Sequence, residues 1–177
     1  MTHLVLLTGL PATGKSTVAV KLAKDYGFVV LSTDELRQSL FREDYGELRK
    51  KGKEREEIVR KVLDSSKIQV LSGGFDLVID ASAPTNKFRK RMLELPKDLE
   101  QAVEKSLLHL RADESILYSR QKARGRTGEA INTIKGYWDE PKDKFLGSAL
   151  YEIDNNTFSL DHLYNKVDQF YKSLRKI

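Results

Sequence analysis

The chain has 177 residues, 40% apolar and 32% charged, a balance that suits one globular core and excludes a disordered chain. No stretch approaches the ~20 apolar residues of a membrane-crossing helix, and the lack of cysteine excludes disulfides, thiolate metal sites and a cysteine nucleophile while suiting a reducing, cytoplasmic setting. The formal charge of +5 points to an anionic substrate of undefined kind, and the three histidines, His3, His109 and His162, lack metal-ligand spacing and read as surface or strand-end residues.

Val5-Leu6-Leu7 is a continuous apolar run of the kind found in a strand buried on both faces, which makes it central. It feeds Gly9-Leu10-Pro11-Ala12-Thr13-Gly14-Lys15-Ser16, which fills the spacing G-x-x-x-x-G-K-[ST] between a strand and an amphipathic run. In such a loop the glycines let backbone N–H groups fold around phosphate oxygens, and the following helix adds its positive end. The expectation is a nucleoside triphosphate site in which Gly9, Pro11, Ala12, Thr13, Gly14 and Thr17 form the cradle. Lys15 reaches the β- and γ-phosphates and Ser16 ligates Mg²⁺. The helix carries Val18, Leu22 and Tyr26 inward and stops at Gly27.

Phe28–Leu31 reads as a second strand, ending at Ser32-Thr33-Asp34. Asp34-Glu35-Leu36-Arg37 then sets a carboxylate and a guanidinium one helical turn apart, both expected to face the γ-phosphate. In transfer to a hydroxyl, that carboxylate takes the proton and the arginine holds the acceptor or shares charge. Thr33 or Asp34 is also suited to cap a helix through Leu36 and Leu40.

Residues from about Glu47 to Leu71 predict a helix whose charged first half is solvated and whose stripe includes Ile58, Val62, Leu63 and Val70. Leu77-Val78-Ile79 is a third strand ending at Asp80, which is placed to hold Mg²⁺ through water, to orient Arg37, or simply to start a turn before Pro84. The basic cluster Lys87, Arg89, Lys90 and Arg91 faces either an anionic acceptor or solvent.

Leu107–Leu110 is a fourth strand, and Asp113 caps a helix with Ile116 and Leu117 inward and Arg120 and Arg124 on another face. Arg120, Lys122, Arg124 and Arg126, with Gly125 and Gly128, predict a mobile basic lid over about 113–135. Arg124 is expected to reach the transferring phosphoryl and Arg120 to stack on adenine. Leu150–Ile153 is a short fifth strand, and Ser159 opens a last amphipathic helix. The alternation predicts an α/β P-loop NTPase: one domain over 1–177, with a five-stranded parallel sheet, helices on both faces and ligands at the strand carboxyl ends. Asn86-Lys87-Phe88-Arg89 lacks the final Asp of a guanine reader and lies too early for one, which favours ATP over GTP.

Gly9 to Thr17, Asp34-x-x-Arg37-Gln38-Ser39, Val78-Ile79-Asp80-Ala81-Ser82 and Arg120-x-x-x-Arg124-Gly125 together resemble the kinase domain of phage-type polynucleotide kinase and the related small P-loop phosphotransferases. That set includes gluconate-kinase-like, zeta-toxin-like and chloramphenicol-phosphotransferase-like proteins. The resemblance implies ATP and Mg²⁺ at Lys15 and Ser16, Asp34 as base, Arg37 as the acceptor-phosphate contact and Arg124 as the lid arginine. Those enzymes commonly continue the third strand as Asp-Thr-Asn or Asp-Ala-Thr-Asn, where this chain has Asp80-Ala81-Ser82-Ala83, so the acceptor stays open. The leading expectation is a kinase acting on a hydroxyl, with a polynucleotide 5′-hydroxyl as one acceptor. Sugar acids, nucleosides, antibiotics and seryl-tRNA are alternatives, and a nucleotide-dependent binding module or switch is the rival of another class.

Overall fold

The structure is a computed structural model that describes residues 1–42, 53–142 and 147–175. Strands β1 (Thr2–Thr8), β2 (Val29–Ser32), β3 (Leu77–Asp80), β4 (Val103–Arg111) and β5 (Ala149–Asp154) form one sheet in the order β2-β3-β1-β4-β5. Every pairing is parallel, with Leu6 opposite Ile79 on one side and Leu107 on the other. The described helices are α1 (Lys15–Tyr26), α2 (Thr33–Phe41), α3 (Lys53–Ser72), α4 (Asn86–Leu93), α5 (Lys97–Glu100), α6 (Glu114–Ala123), α7 (Glu129–Lys135) and α8 (Leu160–Arg175).

The continuous apolar run of β1 has its cause in the layers around it. Leu4 and Leu6 pack with Leu63, Met92 and Leu93 of α3 and α4. Val5 and Leu7 face the other way, onto Val18 and Leu22 of α1 and Leu163, Val167 and Phe170 of α8. Both faces are covered, so neither parity of the strand is polar. The strand order reverses beside β1, where the carboxyl ends of β1, β3 and β4 open a crevice. Gly27 stops α1 at φ 74°, with its N–H returned to Ala23 O and Leu22 O.

The expected strands and the helices α1, α2, α6 and α8 are present. The expected start of the third helix, residues 47–52, lies outside the described residues. Helices α4, α5 and α7 add to the expectation; at eight, four and seven residues their spans are too short for a helical period to stand out. His3 and His109 are strand residues but not surface ones: both are buried, and burial lowers their pKa values. His162 is exposed. Among the described residues no helix is long and apolar enough to cross a membrane.

Candidate active site

The glycine loop turns out of β1 with Gly9 at φ 151° and Gly14 at φ 104°. A Cβ on Gly9 would stand 2.4 Å from Leu110 O, and one on Gly14 would stand 2.7 Å from Asn155 Nδ2, so both positions require the missing side chain. Thr13 Oγ1 donates to Leu10 O at 2.9 Å, bracing the turn from within. Lys15 Nζ donates to Gly9 O and Leu10 O, each at 2.9 Å, folding the charge back over the loop. Burial lowers the Lys15 pKa to about 8; Asp80 and Asp34 pull it up, and Arg124 pushes it further down. The ammonium therefore sits in the combined field of three other predicted site residues.

Asp80 ends β3 opposite Ser32, the last residue of β2, and this register brings it beside the start of α2. Burial raises the Asp80 pKa, while a hydrogen bond from Ser16 and the charge of Lys15 oppose the rise, and Asp34 adds to it. A carboxylate in this environment gains from a nearby cation. Among the described residues no cluster of three or more His, Asp or Glu could hold a metal alone. Mg²⁺ needs no such cage, because it takes one or two protein oxygens together with phosphate oxygens and water, and Ser16 with Asp80 fits that demand.

The cap of α2 differs from expectation. Ser32, not Thr33 or Asp34, is the N-cap, its Oγ accepting from Glu35 N at 3.3 Å. Asp34 is thus spared capping; its side chain is 85% exposed and accepts from Arg37 Nη1 at 2.6 Å. Arg37 is buried, and its other edge is forked by Glu56: Nε donates to Oε2 at 3.0 Å and Nη2 to Oε1 at 2.8 Å. The expectation that Arg37 faces the phosphate space openly needs correction, since carboxylates engage it on both sides. Glu56 was hidden among the alternating charges of α3, where every pair looks like a solvated one.

The predicted lid is the α6–α7 hairpin. Leu117 and Ile131 pack with Ala12 into a small core of their own, which seats the hairpin on the glycine loop. Gly128 is needed there, because a Cβ would stand 2.1 Å from the Tyr118 ring. Arg120 donates to Ala12 O at 3.1 Å, to Asn155 O at 3.0 Å and to Thr157 O, with its guanidinium over the Phe158 ring. Three carbonyls occupy the side chain that was expected to stack on adenine, so it braces the loops. Arg124 caps α6 and is exposed, with Gly125 after it at φ 67°.

A cavity of about 130 Å³ opens here, lined by Gly14, Thr17, Arg120, Arg124, Asn155 and Phe158 among others. A larger one of about 520 Å³ lies between the starts of β4 and β5, at the opposite end of the sheet from the glycine loop. Parallel sheets bind ligands at strand carboxyl ends, so the smaller cavity is the relevant one. Asn155 escaped the sequence reading; its place directly after the fifth strand is the signal that could have found it. The basic cluster after β3 divides: Arg89 is fully buried, Arg91 pairs with Asp64 at 3.3 Å and Glu57 at 3.7 Å, and Lys87 and Lys90 are exposed.

A protein-family model described as an AAA domain matches residues 4–145, and so takes in the loop, Asp34, Asp80 and the whole α6–α7 hairpin. The chain belongs to that family. It is a kinase-like P-loop phosphotransferase with the five-stranded parallel α/β fold of such enzymes. The adenylate kinase of Mycobacterium tuberculosis is 33% identical over 169 residues, covering 85% of this chain and 89% of that protein. The L-seryl-tRNA(Sec) kinase of Methanococcus maripaludis is 25% identical over 173 residues, covering 93% of this chain and 62% of the relative. A crystal structure of a sugar kinase from Janibacter superposes with a TM-score of 0.70 over 100% of this chain and 96% of its own, at 15% identity, a likeness of fold.

Proposed function

We propose that this P-loop phosphotransferase moves the γ-phosphoryl of ATP to a hydroxyl of its acceptor. The charges that act together on Lys15, those of Asp80 at the end of β3, Asp34 in the first turn of α2 and Arg124 at the end of α6, carry this proposal. Lys15 exchanges its bonds to Gly9 O and Leu10 O for phosphate oxygens, and the loop amides join it. Ser16 and Asp80 would hold Mg²⁺, which would neutralise charge on the phosphate oxygens. The acceptor hydroxyl gives its proton to Asp34, its oxygen bonds to the γ-phosphorus, and ADP leaves with the electrons of the broken bond. Arg37 holds one Asp34 oxygen and so aims the other, while Arg124 shares charge on the transferring group.

The division of the basic cluster supports a compact acceptor over a polynucleotide. A track for nucleic acid needs several free cations in line, and here one is buried and another is paired with two acids. An ATP-consumption screen over sugar acids, nucleosides, antibiotics, seryl-tRNA and 5′-hydroxyl oligonucleotides tests this, with Lys15→Ala and Asp34→Asn as controls. The expected result is one compact acceptor class, with Asp34→Asn slower by about 10² or more. If ATP is hydrolysed at the same rate in Asp34→Asn and nothing is phosphorylated, hydroxyl transfer is wrong.

A second proposal, transfer to the phosphate of a nucleoside monophosphate, draws on the 33% identity to an adenylate kinase. A phosphate oxygen is already ionised and needs no base. Asp34→Asn therefore separates the two: a large loss of rate belongs to a hydroxyl acceptor, a small one to a phosphate.

A further inference from the structure

Arg89 has no part in the chemistry above, yet it is the most completely enclosed cation described, at 0% exposure. A buried guanidinium persists only where its N–H groups find acceptors. Nε donates to Thr8 Oγ1 at 3.2 Å, Nη1 to Asn86 Oδ1 at 2.9 Å and Asp139 O at 2.6 Å, and Nη2 to Pro84 O at 3.2 Å. Trp138 covers the guanidinium at 4.7 Å and stacks on His109 at 5.7 Å. The partners belong to three segments remote in sequence. Thr8 immediately precedes Gly9, and its hydroxyl donates to Ser82 O at 3.2 Å and Ala83 O at 2.9 Å. Pro84 and Asn86 lie on the stretch that follows Asp80. Trp138 and Asp139 follow α7, where the hairpin returns to the body. Asp139 N donates to Pro84 O at 2.9 Å, and Asn86 N donates to Asp139 Oδ2 at 2.8 Å.

We propose that Arg89 is a positioning residue that latches the return end of the α6–α7 hairpin to the loop after Asp80, so that nucleotide bound under the hairpin orders the acceptor side of the cleft. This rests on the ATP-dependent phosphotransfer proposed above. The latch requires arginine specifically, because donors must point in several directions in one plane while the face of that plane meets an indole. Lysine keeps the charge and loses the fork.

Hydrogen exchange on the full chain, with and without the non-hydrolysable probe Mg·AMPPNP, reads the coupling, and emission from Trp138, the one tryptophan of the chain, reads it independently. In the unaltered protein the probe is expected to slow exchange at least fivefold in residues 9–17, 82–86 and 136–139, and to change the Trp138 emission. Arg89→Lys keeps the slowing at 9–17, loses it at 82–86 and 136–139, and cuts the emission change to under a third. Asn86→Ala, which removes the Oδ1 that accepts from Arg89 Nη1, shows the same loss in smaller measure and decides the matter alone if Arg89→Lys does not fold. Probe-dependent slowing at 82–86 that survives these changes overturns the proposal. So does slowing confined to 9–17 in the unaltered protein, or a uniform loosening of Arg89→Lys that leaves the probe's effect intact. No slowing at 9–17 in the unaltered protein sinks the nucleotide proposal instead, a separate and recognisable failure.

Discussion

Asn155 Nδ2 donates to Thr13 O at 2.8 Å, tying the loop after β5 to the glycine loop after β1. The C=O and N–H of one trans peptide point in opposite directions, so holding the Thr13 carbonyl toward Asn155 aims the Gly14 N–H away from it, into the cradle. Asn155→Ala should lower the melting temperature by a few degrees, the worth of one buried hydrogen bond of ~1–1.5 kcal/mol, and should weaken Mg·AMPPNP binding about tenfold as the Gly14 N–H loses its aim. Asn155→Asp should weaken it further by placing a carboxylate behind the phosphate site. Calorimetric titration of the two variants checks both; equal affinities to the unaltered protein would show that the loop holds its shape without the amide.

The Arg37–Glu56 pair is enclosed, with side chains 8% and 13% exposed, so removing Glu56 takes the acid from one edge of a buried guanidinium while Asp34 stays on another. Glu56→Leu should cost about 1–3 kcal/mol of stability in urea unfolding. Arg37→Leu combined with Glu56→Leu should cost less than the two single changes summed, because each single change leaves buried polar atoms short of a partner. A double variant as unstable as the sum of the singles would mean the two sites act independently.

Burial brings the Lys15 pKa down to about 8 in the folded protein, against an ordinary 10.5. Between those values the unfolded chain binds more protons, so this group makes the protein more stable as pH rises from about 8 towards 10.5. Nucleotide affinity runs the other way. Phosphate favours the charged lysine, so Mg·AMPPNP affinity should fall above pH ~8 by up to tenfold per unit, with proton uptake on binding at pH 8–9. Titrations in buffers of different ionisation enthalpy measure that uptake. Lys15→Arg should flatten the fall, whatever it does to the rate.

Two lid arginines four residues apart should fail differently. Arg120 braces Ala12, Asn155 and Thr157, so Arg120→Lys should raise KM for ATP more than it lowers kcat. Arg124 is exposed at the end of α6, and in the proposed mechanism it acts only when charge builds on the transferring phosphoryl, so Arg124→Ala should lower kcat by roughly 10³ with KM for ATP nearly unchanged. Steady-state kinetics on the acceptor found in the screen would separate them, and matching profiles would count against a division of labour.

What could be read from the chain alone was whatever the local backbone dictates. A loop around phosphate needs glycines at set positions, and a doubly covered strand needs an unbroken apolar run, so the cradle, the central strand and the alternation leading to a parallel sheet all showed in one dimension. Asp34 and Asp80 were visible for the same reason, as acids at the ends of such runs. Side-chain partners were not visible, because they come from segments 19 to 142 positions apart, as in Arg37 with Glu56 and Asn155 with Thr13. Arg89 and Lys87 look alike in a basic run, yet Lys87 meets water while Arg89 is sealed beneath Trp138, a neighbour brought in across 49 residues by the return of the hairpin. Burial of a charge depends on what the rest of the fold lays over it, and only the tertiary structure decides that.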